Sequence, residues 1–332
     1  MKKRPEDCVH CGKCIASCPS YRYFLQESYS PRGRNLILTK DLNSQALDFC
    51  LFCENCKSLC PQGLNFPEFY LQKIFQDKGY SLPTLSDSLN LLHLHPEGKR
   101  LYKKFDPSSF ENYREGDFYI YLSCGLKHLY PEALFVFLKK IEPLKIKPQI
   151  PLNQDCCGII YLSIRSKEAL KKLALNKLNL FKEDKPVVTF CATCYWLFKR
   201  IYPLLFEEEA DFKALSERTY FILDFLTNFL NLEPFFEEDS EILYHLPCHL
   251  KNNLTFDERS LNKILKNLSF TCCGSAKVTL WLRGFQKGYS KFWKKELIGK
   301  KVLATACTGC YLNFGFQVRR PPEIKHWIEF LK

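Results

Sequence analysis

Near its N-terminus the chain reads Cys8-Val9-His10-Cys11-Gly12-Lys13-Cys14-Ile15-Ala16-Ser17-Cys18-Pro19, which has the spacing C-x2-C-x2-C-x3-C-P. The same spacing returns at Cys50, Cys53, Cys56, Cys60 and Pro61. Gaps of two residues let the backbone curl around one iron-sulfur cubane, so that three thiolates reach three irons. The two runs therefore predict two cubane [4Fe-4S] clusters in an N-terminal domain over residues 1–80.

The last cysteine of each run is followed by proline and leaves on an extended path, so in two-cluster ferredoxins it binds the other cluster. We therefore predict that the two runs exchange their fourth ligands. One cubane is expected to be held by Cys8, Cys11, Cys14 and Cys60, and its partner by Cys50, Cys53, Cys56 and Cys18.

Structural zinc is the alternative for these cysteines, because it also favours C-x2-C pairs. Zinc takes four ligands from two such pairs and has no use for a doubled run of this kind, so clusters are favoured. The wide spacing between the runs, with a helix-like stretch over residues 35–49, indicates a helical ferredoxin domain rather than a compact one.

The other ten cysteines form two copies of one pattern. The first copy reads C-x31-CC-x33-C-x2-C and the second C-x23-CC-x33-C-x2-C, and together with the ferredoxin runs they account for all 18 cysteines. All but the first cysteine of each copy keep an offset of 116 positions, which indicates a duplicated unit. The ten residues are Cys124, Cys156, Cys157, Cys191 and Cys194, then Cys248, Cys272, Cys273, Cys307 and Cys310.

Each copy alternates β-type runs with helical sequence, so each is predicted to be an α/β unit with cysteines at the ends of strands. The predicted strands are 117–123, 186–190, 241–245 and 301–305, and a helix is expected over 166–181. The fold class is therefore α+β: a helical two-cluster ferredoxin domain, a connecting segment over 81–116, and cysteine-rich units over 117–236 and 237–332.

A CC pair followed by a permissive glycine is suited to bridging the irons of one cluster, and five thiolates are one too many for zinc. The doubled unit resembles the cysteine-rich domain of heterodisulfide reductase catalytic subunits, in which each five-cysteine motif holds a noncubane [4Fe-4S] cluster. The resemblance implies one or two such clusters here.

Over its full length the chain resembles the iron-sulfur subunit of glycolate oxidase. It is shorter than typical members, and it keeps a complete Cys307-x2-Cys310 pair where some have lost a cysteine. The stretches that carry the resemblance are Cys8-Val9-His10-Cys11-Gly12, Cys18-Pro19-Ser20-Tyr21, Pro31-Arg32-Gly33-Arg34, Tyr244-His245-Leu246-Pro247-Cys248 and Cys272-Cys273-Gly274-Ser275-Ala276.

This resemblance implies an electron-transfer subunit that receives electrons from a flavin-containing dehydrogenase partner acting on glycolate or another 2-hydroxy acid, and passes them to a quinone or other acceptor. The chain has no G-x-G-x-x-G and no G-x-x-x-x-G-K-[ST], so hydride chemistry is expected elsewhere and no catalytic residue is singled out. The alternative is a heterodisulfide reductase-like subunit that cleaves a disulfide at its noncubane clusters.

The formal charge of +12 would by itself suggest nucleic acid or an anionic membrane as a partner. Thiolates on four clusters would remove about 6 to 10 of those units, so no nucleic-acid partner is predicted. Neither a signal peptide nor a membrane-spanning segment is evident in the sequence, so we expect a cytoplasmic protein, or one attached to the inner face of the cell membrane if its acceptor is a membrane quinone.

Four other residues have two interpretations each. Arg32 and Arg34 either balance cluster charge or begin a helix. His245 and His249 flank Cys248, and such histidines more often hydrogen-bond sulfur or fill space than bind metal.

Overall fold

The computed structural model describes residues 3–75, 100–254, 258–274, 283–317 and 322–332. Most of the predicted connecting segment, together with Ser275, Ala276 and Trp281, lies outside these ranges. The N-terminal part contains only helices among its described residues. They are Pro19–Phe24, Pro31–Thr39, Asn55–Ser58 and Phe66–Ile74, with 3-10 turns at Pro5–Asp7, Glu27–Tyr29 and Gln45–Leu47.

The helix Pro31–Thr39 begins where its sequence favours a start. The hydroxyl of Ser30 accepts a hydrogen bond from the backbone N–H of Gly33, and Pro31 occupies the first helical position. The helix predicted over 35–49 is wrong at both ends, because the helix begins at Pro31 and ends at Thr39. The helix stops because Asp41 adopts a positive φ of 51° and the N–H of Leu42 bonds back to the carbonyl of Ile37, a C-terminal cap that usually carries glycine.

The first cysteine-rich unit is built on a parallel sheet of four strands. The strands are β1 (Phe118–Tyr121), β2 (Pro148–Gln149), β3 (Val187–Thr189) and β4 (Thr219–Phe221). Their order in the sheet is β2-β1-β3-β4. Tyr119 of β1 lies opposite Val187 of β3, and Val187 lies opposite Thr219 of β4. All residues of the two central strands are buried, as expected for a parallel sheet covered on both faces.

The second unit repeats this arrangement. Its strands are β5 (Ile242–His245), β6 (Leu268–Ser269), β7 (Val302–Thr305) and β8 (Glu323–Lys325). They are again all parallel, in the order β6-β5-β7-β8. Because strand order and direction are the same in both sheets, the duplication inferred from cysteine spacing is also a duplication of topology.

Helices connect the strands in both units. In the first unit they are Cys124–His128, Pro131–Ile141, Ile159–Ser163, Lys167–Leu180, Ala192–Trp196, Tyr202–Leu205, Ala210–Glu217 and Ile222–Asp224. In the second they are Cys248–Lys251, Glu258–Ile264, Arg283–Tyr289, Lys291–Lys294 and Thr308–Gln317. Two π-helical turns, Leu197–Ile201 and Phe225–Phe229, extend Ala192–Trp196 and Ile222–Asp224.

The α+β class is confirmed, since a helical N-terminal part precedes two parallel α/β units. The predicted strands correspond to the central pair of each sheet, and the predicted helix over 166–181 is Lys167–Leu180. The two outer strands of each sheet were not predicted, because segments of two or three residues carry almost no periodic signal. None of the helices in the described part of the chain has the length and apolar character that a bilayer crossing requires.

The ferredoxin part packs against both units rather than standing apart. Tyr23 and Phe285 have ring centroids 4.5 Å apart, and Asn252 donates a hydrogen bond of 3.2 Å to the carbonyl of Cys53. On the first unit, Arg165 pairs with Asp48 of the ferredoxin part. These contacts bring the two ferredoxin motifs to the edges of the sheets where the other cysteines lie.

Candidate metal centres

A cavity near the N-terminus is surrounded by four cysteines, three from the first run and one from the second. Burial, together with the nearby Cys8 and Cys60, raises the pKa of Cys14 to about 11. Cys11 is exposed, so this cavity reaches the surface. The four cysteines are Cys8, Cys11, Cys14 and Cys60, the set expected from exchange of the fourth ligands.

A second cavity is surrounded by the other four ferredoxin cysteines, of which Cys18, Cys50 and Cys53 are buried. Burial raises the pKa of Cys56 well above its usual value, and the neighbouring Cys50 and Cys18 add to the shift. The thiol of Cys18 is within 3.6 Å of the guanidinium of Arg34. The set is Cys18, Cys50, Cys53 and Cys56, again with the fourth member supplied by the other run.

The five cysteines of the second unit lie together behind this cavity. Cys273 and Cys310 have sulfur atoms 3.3 Å apart, and hydrogen bonds from Cys272 and Cys310 lower the pKa of Cys273 to about 6. A hydrogen bond with Cys272 raises the pKa of Cys248 well above its usual value. The fifth member, Cys307, interacts with Cys310 and completes the group.

In the first unit, four cysteines are in mutual contact. Hydrogen bonds link Cys157 to Cys156 and Cys194, and Cys194 to Cys191. Cys124 begins the helix after β1, and Cys191 follows β3, so both lie at the carboxyl edge of the sheet. The structure thus gathers each five-cysteine pattern at one edge of its own sheet, as parallel strands dictate.

Each CC pair is followed by a glycine with positive φ, 88° at Gly158 and 80° at Gly274. The N–H of each glycine donates a hydrogen bond of 3.3 Å to the first cysteine of its pair, Cys156 or Cys272. A side chain at Gly274 would overlap the ring of Tyr289, and one at Gly158 would press on Leu170. The duplicated glycine therefore provides both the turn and an N–H group directed at sulfur.

The groups of cysteines form a single series in space, with each group near the next. Cys14 of the first cavity raises the pKa of Cys56 in the second. The pKa of Cys53 is raised by burial and then by Cys272 and Cys248 of the second unit. The spatial order is therefore first cavity, second cavity, second cysteine-rich unit.

The cysteines of the first unit are the last group in this series and lie next to those of the second unit. Burial opposes ionisation of Cys191, but hydrogen bonds from Cys194, Cys307 and Thr308 together lower its pKa well below the usual value. The same contact raises the pKa of Cys307 to about 12. Both the N–H and the hydroxyl of Thr308 lie 3.3 Å from the sulfur of Cys191, and the hydroxyl of Thr193 lies 3.2 Å from that of Cys307.

The two histidines beside Cys248 bond to protein groups. His249 contacts the hydroxyl of Thr193 through Nδ1 at 3.1 Å and the carbonyl of Phe52 through Nε2 at 3.1 Å. His245 contacts Thr305 through Nδ1 at 2.9 Å, and its ring also interacts with the backbone of Thr271. Burial lowers the pKa of His245 to about 3 and that of His249 to about 4, so both are neutral near pH 7.

The residues around the second cavity fit a bound cluster. Nη2 of Arg34, a buried side chain on the cavity wall, has no hydrogen-bond partner among the described residues, which indicates an acceptor that the polypeptide does not supply. In the part of the chain that the structure describes, no three His, Cys, Asp or Glu side chains converge as a single metal ion requires. The grouping of the thiols therefore rests on the cavities that they surround and on their mutual contacts.

Two family models match the chain. A 4Fe-4S dicluster domain matches residues 4–64, and a cysteine-rich domain matches residues 118–199 and again residues 242–315. The chain thus combines one ferredoxin-type dicluster domain with two cysteine-rich domains.

Curated relatives match most of the chain at low identity. The glycolate oxidase iron-sulfur subunit of Escherichia coli is 22% identical over 98% of this chain and 93% of that protein. Lactate utilization protein A of Bacillus pumilus is 26% identical over 64% of this chain and 98% of its own length. A dihydromethanophenazine:CoB–CoM heterodisulfide reductase subunit of Methanosarcina mazei is 21% identical over 93% of this chain and 88% of its own length.

Proposed function

We propose that this chain, a dicluster ferredoxin domain joined to two cysteine-rich domains, is the electron-transfer subunit of a flavin-dependent 2-hydroxy-acid dehydrogenase complex. Its substrate class is taken from the similarity to the glycolate oxidase subunit, and glycolate is the substrate we would test first. Iron-sulfur clusters, when bound, accept and release single electrons at the potentials that the surrounding protein sets.

The observation that carries this proposal is the unbroken series of four cysteine groups. Cys14 lies near enough to Cys56 to raise its pKa, Cys53 packs against Cys272, and Cys307 contacts Cys191, so each group neighbours the next. A chain that only bound metal for stability would have no need of contiguous sites. We assign Cys8, Cys11, Cys14 and Cys60 to a first cubane, and Cys18, Cys50, Cys53 and Cys56 to a second.

The five cysteines of each sheet edge would hold a noncubane [4Fe-4S] cluster in this proposal. The N–H groups of Gly158 and Gly274 already point at sulfur, and the protein supplies further buried donors in Thr193 and Thr308. Hydrogen bonds to sulfur stabilise the more negative, reduced state. We also propose domain limits of 1–80, 81–116, 117–236 and 237–332, which enclose the family matches.

The direction of electron transfer is inferred from the two ends of the series, one exposed and the other buried. The first cubane site opens to solvent at Cys11, whereas Cys191 and Cys194 at the other end are 1% and 2% exposed. We therefore place the flavin partner at the first cubane, with the acceptor, a quinone or another oxidant, served from the cysteine-rich end. The proposed location is the cytoplasm or the inner surface of the cell membrane.

Rapid mixing tests the division of labour. The isolated holoprotein should not oxidise glycolate or D-lactate, and adding the flavin subunit should give substrate-dependent reduction of the clusters. Cys156→Ser and Cys272→Ser should block onward transfer while reduction of the flavin by substrate stays at the wild-type rate. Oxidation of a 2-hydroxy acid by this chain alone would overturn the proposal.

The similarity to a heterodisulfide reductase subunit supports one alternative function, which is disulfide cleavage where the two cysteine-rich domains meet. Cys191 and Cys307 meet there, each with a threonine hydroxyl on its sulfur. The same rapid-mixing experiment separates the two functions. Re-oxidation of the reduced clusters by added disulfides, without any other acceptor, would favour the alternative.

A further inference from the structure

The helix Pro31–Thr39 lies between the two cubane cavities and presents an arginine to each. Arg32 lines the first cavity, and Arg34 lines the second. Residues two apart on an α-helix point about 200° apart, so one short motif can supply a cation to two sites. Gly33 makes this placement possible, because a side chain there would overlap the backbone carbonyl oxygen of Glu27.

The two arginines differ in their surroundings. The side chain of Arg32 is 33% exposed, pairs with Glu27 at 2.8 Å, and donates a hydrogen bond of 3.0 Å to the carbonyl of His10. Its charge is therefore neutralised by a carboxylate and screened by water. Arg34 is 1% exposed, and none of the ion pairs among the described residues includes it.

Two of the three nitrogen atoms of the Arg34 guanidinium are held by the protein. Nε donates to the carbonyl of Ala46 at 2.7 Å, and Nη1 lies 3.6 Å from the sulfur of Cys18. Nη2 is buried and has no hydrogen-bond partner among the described residues. A buried charged donor left without an acceptor is more costly than a neutral one, so a further acceptor in the cavity is expected.

We propose that Arg34 donates a hydrogen bond through Nη2 to the cluster of the second cavity and raises its reduction potential above that of the first cubane. Arginine keeps its charge at every relevant pH, and a fixed, buried cation beside a site stabilises whichever state carries one more electron. Electrons that enter at the exposed first cubane would then be drawn inward. This inference rests on one part of the proposed function, namely that the second cavity holds a cubane.

The test is a redox titration of the anaerobic holoprotein monitored by EPR, without the flavin partner. In Arg34→Gln the equilibrium constant for reduction of the second cubane should fall at least tenfold, which is about 59 mV for one electron. The potential of the first cubane should not move. Arg34→Lys, which keeps the charge but loses the planar fork, should give a smaller shift.

Arg32→Gln is the matched control, since it removes a cation from the same helix two residues away. It should leave the potential of the second cubane unchanged. If Arg34→Gln carried a full complement of iron and showed the wild-type potential, or if both cubanes shifted equally, the inference would be overturned.

A second measurement does not depend on the variants. Protein labelled with ¹⁵N in its arginine guanidinium groups should show, by pulsed EPR, nitrogen coupling to the reduced second cubane, and the coupling should persist in Arg32→Gln. Loaded wild-type protein without this coupling would contradict the role of Arg34 while leaving the proposed function standing. Wild-type protein that binds no cubane in the second cavity would overturn both.

Discussion

The indole N–H of Trp196 donates a hydrogen bond of 3.1 Å to the carboxylate of Glu54, across 142 positions of sequence. Glu54 belongs to the second ferredoxin motif and adopts a positive φ of 56°, while Trp196 ends the helix that follows Cys191. The indole also stacks on His249, with ring centroids 4.3 Å apart and planes 3° apart. Trp196 thus connects one ferredoxin loop to both cysteine-rich domains.

This contact predicts how the ferredoxin domain is held in place. Trp196→Phe keeps an aromatic ring but removes the donor, which should cost roughly 1–3 kcal/mol of unfolding free energy because Glu54 is 2% exposed. Backbone amides over 50–56 should exchange hydrogen faster. Trp327→Phe is the control, since its N–H bonds to Ala304 within the second domain at 3.2 Å, and exchange over 50–56 should stay as in wild type. Equal exchange in both variants would contradict the prediction.

Iron analysis should count the clusters. Anaerobically prepared protein should be brown and contain about 16 irons per chain, because each [4Fe-4S] cluster brings four. Removing iron with a chelator should unfold the N-terminal domain first, since its short helices surround the two cavities and metal binding is coupled to folding. The check is iron and zinc content together with circular dichroism; stoichiometric zinc with little iron would contradict the assignment.

Cys18→Ser should damage the second cubane although Cys18 stands in the first run. Its sulfur lines the second cavity with Cys50, Cys53 and Cys56, and contacts Arg34. EPR of the reduced variant should show an altered or missing signal from the second cubane. Cys60→Ser is the matched variant, because Cys60 stands in the second run but lines the first cavity. A change confined to the first centre in Cys18→Ser would mean that the fourth ligands do not cross over.

Gly33→Ala should destabilise the N-terminal domain. The added methyl group would overlap the carbonyl oxygen of Glu27, and overpacking of this kind costs about 1–3 kcal/mol. Gly284→Ala offers a control in the helix Arg283–Tyr289, where a new methyl group meets no atom of the described residues within 4 Å. That change should be neutral or stabilising by up to about 1 kcal/mol, as alanine favours helix. Chemical unfolding of both variants gives the comparison.

Buried histidine predicts loss of stability in acid. His326 bonds to the carbonyl of Phe190 at 2.7 Å, and burial lowers its pKa to about 4, below the usual 6.5. The unfolded chain therefore binds the proton more tightly, so stability is complete above about pH 6.5 and falls as pH drops toward 4. From pH 7 to pH 5 this group alone should account for about 2 kcal/mol.

His326→Gln should remove that part of the pH dependence. Urea unfolding of wild type and variant at pH 7 and pH 5 provides the measurement, and the variant should lose about 2 kcal/mol less between the two values. Parallel losses in the two proteins would show that His326 does not titrate as predicted.

Local chemistry could be predicted from the sequence because a cluster needs its ligands at short, defined spacings. The two C-x2-C-x2-C-x3-C-P runs, the offset of 116 positions and the CC pairs before glycine together identified the candidate ligands and the duplicated α/β units. They did not identify the end of the helix Pro31–Thr39, because Asp41 adopts a positive φ at a position where glycine is the usual signal. They also did not identify the short outer strands.

Only the tertiary structure decided which groups adjoin and what surrounds them. The approach of Cys53 to Cys272, the meeting of Cys191 and Cys307, and the burial of Arg34 beside the second cavity all join residues whose separation in sequence says nothing about their distance in space. Spacing within a motif is imposed by the reach of a few peptide bonds. The order of the four sites depends instead on how two sheets and a helical domain bury their apolar faces against one another, which is a property of the packed chain as a whole.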